Sequence, residues 1–136
     1  MGKANPPLLS YTSKNLHKVT KSIWRNLTVD LLPVKKFVPK NLQNSLYGHC
    51  HTASGCLYKI FGNENVNMYR AMDKNGIYHW WVQDKNGFVI DLTWSQYSAA
   101  DASELHKKGE KKGLLGFGYK VKVNILLDKV RSDLKV

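Results

Sequence analysis

Residues 77–92, IYHWWVQDKNGFVIDL, decide the fold. The run IYHWWVQ and the run FVIDL are short and rich in aromatic and β-branched residues, and the tetrapeptide Asp84-Lys85-Asn86-Gly87 separates them. Such a pattern predicts two antiparallel strands joined by a tight turn. Asp-Lys-Asn-Gly favours a type I turn at Lys85-Asn86 followed by Gly87 in the left-handed bulge position, which pairs Asp84 with Phe88. Counting outward, Val82 faces Ile90, Trp81 faces Asp91 and His79 faces Thr93. His79, Trp81, Asp91 and Thr93 then share one face, with His79 diagonal to Asp91 at a Cα spacing of roughly 7–8 Å or less. A turn one residue shorter would send His79 and Asp91 to opposite faces.

The same tetrapeptide recurs at Asp73-Lys74-Asn75-Gly76, so VNMYRAM before it adds a third strand and completes a meander. Upstream, Ala53, Cys56, Leu57, Ile60 and Phe61 form an apolar stripe of helical period that Gly62-Asn63 stops. Extended backward by three residues, the stripe reaches Cys50, in the first turn on the inward face. Residues 13–27 carry Leu16, Val19, Ile23 and Leu27 at spacings of three and four, with Thr12 or Ser13 available as a cap. Pro33 and Pro39 prevent one continuous helix through LLPVKKFVPKNLQNSLYG, which is expected to be extended. Val123, Leu126, Leu127, Val130 and Leu134 predict a terminal helix over about 120–134. Between them, residues after Thr93-Trp94-Ser95-Gln96-Tyr97 read as a small-residue stretch and a glycine- and lysine-rich loop. The expected class is α+β, with N-terminal helices packed on a short antiparallel meander and a helix at the C-terminus.

At 136 residues the chain fits one domain, 1–136, large enough to bury a core without disulfides or structural metal. Its 43% hydrophobic and 11% aromatic content is that of a globular protein, without the run of about 18 apolar residues that a membrane helix needs. The first ten residues lack an apolar run with a small-residue cleavage site, so a cytoplasmic location is expected. Two cysteines six positions apart make a poor disulfide framework.

Net charge is +11 and unevenly spread. Residues 1–40 hold eight Lys/Arg against one acid, and residues 104–136 hold nine against four, whereas residues 41–103 hold four against five. The basic flanks can attract nucleic acid or an acidic partner protein, or simply keep the surface solvated.

Chemistry concentrates in the central block, about 44–97. A thiol in a first helical turn lies at the positive end of the helix dipole, which favours thiolate. An imidazole can take the proton, and a carboxylate behind it fixes the ring. Cys50, His79 and Asp91 fit those roles as nucleophile, general acid/base and orienting acid. The Cys50 backbone N–H is a natural oxyanion donor, and Asn44 or Gln43 is a candidate second donor. His51 belongs near the rim or in a local hydrogen bond. Trp80, Trp81, Trp94 and Tyr97 are candidate cleft walls; Trp81 and Trp94 are the better ones, because core packing is at least as good a reading for Trp80, whose face is opposite to His79. Cys56 is core, and His17 and His106 are placed in solvated contexts. His49 and His51 point about 200° apart on a helix and cannot both join Cys50 at one tetrahedral ion, so no metal is expected.

Gly48-His49-Cys50 opening a helix, His79-Trp80-Trp81-Val82 on a strand and Gly87-Phe88-Val89-Ile90-Asp91-Leu92-Thr93 on the next resemble the Cys-His-Asp core of the papain-like and transglutaminase-like superfamily. Arylamine N-acetyltransferases, NlpC-type peptidases and small bacterial and phage proteins belong to it. The resemblance implies hydrolysis or acyl transfer at an amide, isopeptide or thioester bond of a protein, peptide or small acyl substrate. It implies a thioester on Cys50 and no cofactor. A non-enzymatic basic module on the same scaffold is the alternative.

Overall fold

The Asp84-Lys85-Asn86-Gly87 turn forms as the sequence predicts in the computed structural model, which describes residues 6–136. The Gly87 N–H donates to the Asp84 carbonyl at 2.9 Å, the Asp84 N–H donates to Phe88 O at 3.0 Å, and Gly87 sits at φ +84°. The bulge therefore sets the register, and Val82 pairs with Ile90 and Gln83 with Val89. Lys3 of the basic N-terminal flank and the leader reading of residues 1–5 lie outside the described residues.

Strand β1 (Val66–Met72) pairs with β2 (Tyr78–Asp84) along its whole length, and β2 pairs with the short β3 (Val89–Ile90). A fourth strand, β4 (Glu110–Lys111), adds to β1 opposite Arg70 and Tyr69. The sheet order is β3-β2-β1-β4, antiparallel throughout. Alternation along the strands gives two faces. Val66, Met68, Trp80 and Val82 join the main core, whereas Ala71 and Trp81 form a second, smaller core on the other side.

Helix α1 (Ser13–Asn26) is capped by Thr12, whose hydroxyl accepts the Asn15 N–H at 3.1 Å, and buries Val19 and Ile23. Residues 33–48 depart from the extended chain expected of them. They hold a 3-10 turn, Lys35–Phe37, and a six-residue helix α2, Val38–Gln43. Pro39 is compatible because it lies in the first turn, where a backbone N–H has no helical partner to lose.

Helix α3 (Cys50–Phe61) follows the apolar stripe and ends at Gly62, and it packs on β2 and on helix α5 (Phe117–Leu134). Contact with α5 is close: a Cβ added at Gly55 would lie 2.7 Å from a Val123 methyl. α5 buries Val123, Leu126 and Val130, as their spacing predicts, and begins three residues earlier than expected. α1 packs against α5, held also by Ser22 and Asn26, which donate to Asp133 at 2.7 and 2.9 Å. The two basic flanks are therefore neighbours in space.

The stretch after Tyr97 is where expectation and structure part most. Instead of a loop it contains helix α4 (Ala99–Lys107), capped by the Ser98 hydroxyl accepting the Asp101 N–H at 3.1 Å, and then β4. Ala102 and Leu105 are buried, and Leu105 packs on Trp81 in the second core. Among the described residues, no helix is long and apolar enough to cross a membrane.

Candidate active site

The chain enters α3 through Gly48, at φ +85°, where a Cβ would stand 2.8 Å from Leu32 Cδ2 and 3.0 Å from Phe37. Only glycine combines that backbone with that proximity. The turn makes Cys50 the first residue of α3, half-buried, at the end where backbone N–H groups have no intrahelical partner. Its thiol lies 3.9 Å from the Tyr78 carbonyl of β2.

His79 follows Tyr78 and is fully buried. Its Nε2 lies 2.6 Å from Asp91 Oδ2, and its ring is edge-on to Tyr97 at 4.8 Å between centroids. β3 ends at Ile90, so Asp91 lies beyond the ladder, and its Oδ1 accepts the Thr93 N–H at 3.2 Å in a local turn. With Nε2–H donated to the carboxylate, Nδ1 is the ring nitrogen left to accept a hydrogen bond or a proton. Gln96 Nε2 lies 3.4 Å from that Nδ1 and donates to Thr93 Oγ1 at 3.1 Å.

Electrostatics couple the three groups. Burial by itself lowers the His79 pKa. The hydrogen bond to Asp91, the hydrogen bond and charge of Cys50, and the charge of Asp91 outweigh it and raise the value to about 9. Burial likewise opposes ionisation of Asp91, but hydrogen bonds from His106 and His79 hold its carboxyl below the usual range. Cys56 is fully buried, and burial pushes its thiol well up, as befits a core residue.

His106 is a member that the sequence reading missed. It lies on α4, is largely buried rather than solvated, and places Nε2 2.7 Å from Asp91 Oδ2. The cap at Ser98 and the Ala102, Leu105 spacing are a helix signal that was available. The reach of His106 to Asp91 depends on how α4 docks, which no local pattern encodes.

The proposed second donors are elsewhere. Gln43 is exposed at the end of α2, and the Asn44 side chain is spent on Leu46 N and Ser95 O, so neither lines the cavity beside Cys50. Gln96 does line it. Of the tryptophans, Trp80 packs in the main core and also lines the cavity, whereas the two preferred cleft candidates do not: Trp81 is fully buried under Gly109 and Leu105, and Trp94 is 47% exposed away from it. The cause is that α3 docks on the Trp80 face of the sheet. His51 is no rim residue but a buried wall, its Nε2 accepting the Leu115 N–H at 3.0 Å.

His79, Asp91 and His106 are the described residues whose donor atoms, all within 4.8 Å of one another, can hold a divalent ion. An ion there would displace the Nε2–H protons now shared with Asp91 and remove His79 from acid–base work.

A family model described as YunG protein matches residues 12–134. The chain belongs to the YunG family. This corrects the papain-like and transglutaminase-like resemblance, which rested on short motifs within residues 44–97, whereas the YunG match spans nearly the whole chain. Short motifs such as Gly-His-Cys and His-Trp-Trp-Val follow from a tight helix entry and a buried strand, and do not carry ancestry. No curated protein and no solved structure matches this YunG-family chain.

Proposed function

We propose that the protein is a cysteine-nucleophile hydrolase or acyltransferase acting on an amide, isopeptide or thioester bond. The observation that carries this is the His79 ring, bonded through Nε2 to Asp91 at 2.6 Å and coupled to the Cys50 thiol at the start of α3. In the first half-reaction the Cys50 thiolate attacks the acyl carbon and a C–S bond forms. The tetrahedral intermediate collapses as the C–N or C–S bond to the leaving group breaks, and His79 gives that group its proton. In the second half-reaction His79 takes a proton from water or an acceptor amine, which attacks the thioester. The C–S bond then breaks and the Cys50 thiolate returns. The Cys50 N–H is the oxyanion donor that the start of α3 leaves free, and the Gln96 amide, now on Thr93 Oγ1 and beside His79 Nδ1, becomes a second donor only by leaving those partners. Asp91 holds the ring in the tautomer this cycle needs.

Iodoacetamide labelling at pH 7, mapped by mass spectrometry, tests the reading. Cys50 should be alkylated at least about tenfold faster in the wild type than in His79→Ala, with Cys56 unlabelled. Equal rates in the two proteins, or labelling confined to Cys56, would remove it.

A second reading, a basic platform for nucleic acid or an acidic protein, draws on the packing of α1 against α5, which sets the two basic flanks side by side. It requires binding to generic DNA or RNA that falls steeply between low and moderate salt and survives Cys50→Ser. Absence of binding at low salt would eliminate it.

A further inference from the structure

We propose that the cavity beside Cys50 is a subsite for a small, flat, uncharged aromatic acyl group, with Tyr47 and Tyr119 donating hydrogen bonds to acceptor atoms on it. This deepens the assignment of Cys50 as nucleophile and rests on it. The cavity holds about 230 Å³, below the roughly 300–1,000 Å³ of sites for drug-sized ligands, so it takes an acyl group rather than a folded segment.

Besides the His51 imidazole, six benzenoid or indole rings line it: Phe37, Tyr47, Tyr78, Trp80, Tyr97 and Tyr119. No acidic side chain does. Its one lining lysine, Lys36, is exposed, with Nζ 5.9 Å from the Phe37 ring centre, at the solvent side of the wall. Apart from the Cys50 thiolate itself, a cationic ligand would find no counter-charge in the lining. Flat rings meet flat rings with favourable offset or edge contacts that an aliphatic chain does not make.

The rings are held in place, which keeps the slot open in shape. His51 is edge-on to Trp80 at 4.7 Å and to Tyr119 at 5.0 Å, and the Leu115 N–H fixes the imidazole from behind at 3.0 Å. Tyr97 is anchored through its hydroxyl to Asp73 at 2.7 Å. The Tyr47 and Tyr119 hydroxyls, in contrast, have no hydrogen-bond partner among the described residues, although both phenols lie within electrostatic reach of Cys50. Two uncommitted donors in an aromatic wall beside a nucleophile suit an acyl group that carries its own acceptor.

The test uses the full-length Cys50→Ala protein, so that binding is read without chemistry, and four amides as probes: benzamide, nicotinamide, cyclohexanecarboxamide and hexanamide. Titrations followed by NMR should map benzamide and nicotinamide to the Trp80 indole and the signals of Tyr47 and Tyr119. The two aliphatic amides should bind at least about fivefold more weakly. Nicotinamide, with its ring acceptor, should lose about fivefold in affinity in Tyr47→Phe or Tyr119→Phe, while benzamide changes less. Equal affinity for aromatic and aliphatic amides, shifts that map elsewhere, or no binding at millimolar probe would overturn the subsite. A His79-dependent Cys50 in the labelling experiment together with any of those results would retain the nucleophile and remove only the aromatic subsite. A Cys50 indifferent to His79 would remove the nucleophile whatever the amides do.

Discussion

His79 and the pair His49 and His51 are alike in type and burial, at 0%, 0% and 2% exposure, yet they sit on opposite sides of the ordinary imidazole range. Burial lowers His49 and His51 to about 4, and for His49 the distant charge of Asp30 only partly offsets it. His79 feels the same burial and rises to about 9. What differs is the partner. His79 has a carboxylate at 2.6 Å, while both ring nitrogens of His49 and the Nδ1 of His51 have none. Burial thus makes an imidazole either an inert neutral wall or a charged acid, and the partners within reach, here Asp91 and Cys50, decide which.

The largest expected effect tests the neutral pair. A histidine whose folded pKa is depressed contributes stability that is present above its unfolded value and lost as pH falls toward the folded one. Here that window runs from 6.5 down to about 4. Each of the two buried rings is worth about 3 kcal/mol across it, about 6 kcal/mol together, against a typical total of about 5–15 kcal/mol. Urea unfolding at pH 7, 6, 5 and 4 should show the midpoint falling steeply before carboxylates begin to protonate. A flat profile down to pH 5 would contradict the assignment.

Asp91→Asn probes the other side of the comparison. With the carboxylate gone, His79 should titrate well below about 9 by NMR, toward His49 and His51 and held above them only by Cys50, at a stability cost of about 3–5 kcal/mol at neutral pH. The pH dependence should also change. A raised folded pKa contributes stability that is complete below 6.5 and lost as pH rises through about 9, so the wild type should weaken in that alkaline window and the variant should not. His106→Ala is the milder version. It removes one of the two hydrogen bonds to Asp91 Oδ2, should cost about 1.5–3 kcal/mol, and should leave His79 above 6.5. An unchanged urea midpoint in His106→Ala would mean that α4 docks without help from the site.

The two halves of this site were not equally legible in the sequence. His79 and Asp91 could be brought together by counting residues, because a type I turn with Gly87 in the bulge leaves one register, and register is a local property. Cys50 was legible from helical phase for the same reason. His106, Gln96 and the exchange of Trp80 for Trp81 were not, because each depends on which face of the sheet a helix covers. α3 and α4 take opposite faces, and both faces of β2 are apolar enough for either, so alternation could not say which tryptophan would line a cavity. α4 itself was overlooked beside the glycines at 109 and 113, although Ser98 and Asp101 carry its cap. The α+β class followed from periods of two and of about 3.6 residues. Ancestry did not follow from the short motifs, and the family match corrected it.

The smallest effect has the opposite sign and isolates one histidine. His49 precedes α3 but makes no capping hydrogen bond, and neither of its nitrogens is partnered. It therefore bears the desolvation of two polar atoms without return. His49→Leu, close in size and apolar, should stabilise the protein by about 1 kcal/mol at pH 7. The gain should grow as pH falls from 6.5 toward 4, because the variant has one fewer ring to charge on unfolding. His51→Leu offers the contrast, since it would orphan the Leu115 N–H that Nε2 now accepts, and should be neutral or destabilising at pH 7. Measured together, the two variants separate the cost of a buried polar atom from the value of a single satisfied one. A loss of stability in His49→Leu at pH 7 would show that the ring has a partner, and would move His49 to the side of the comparison where His79 stands.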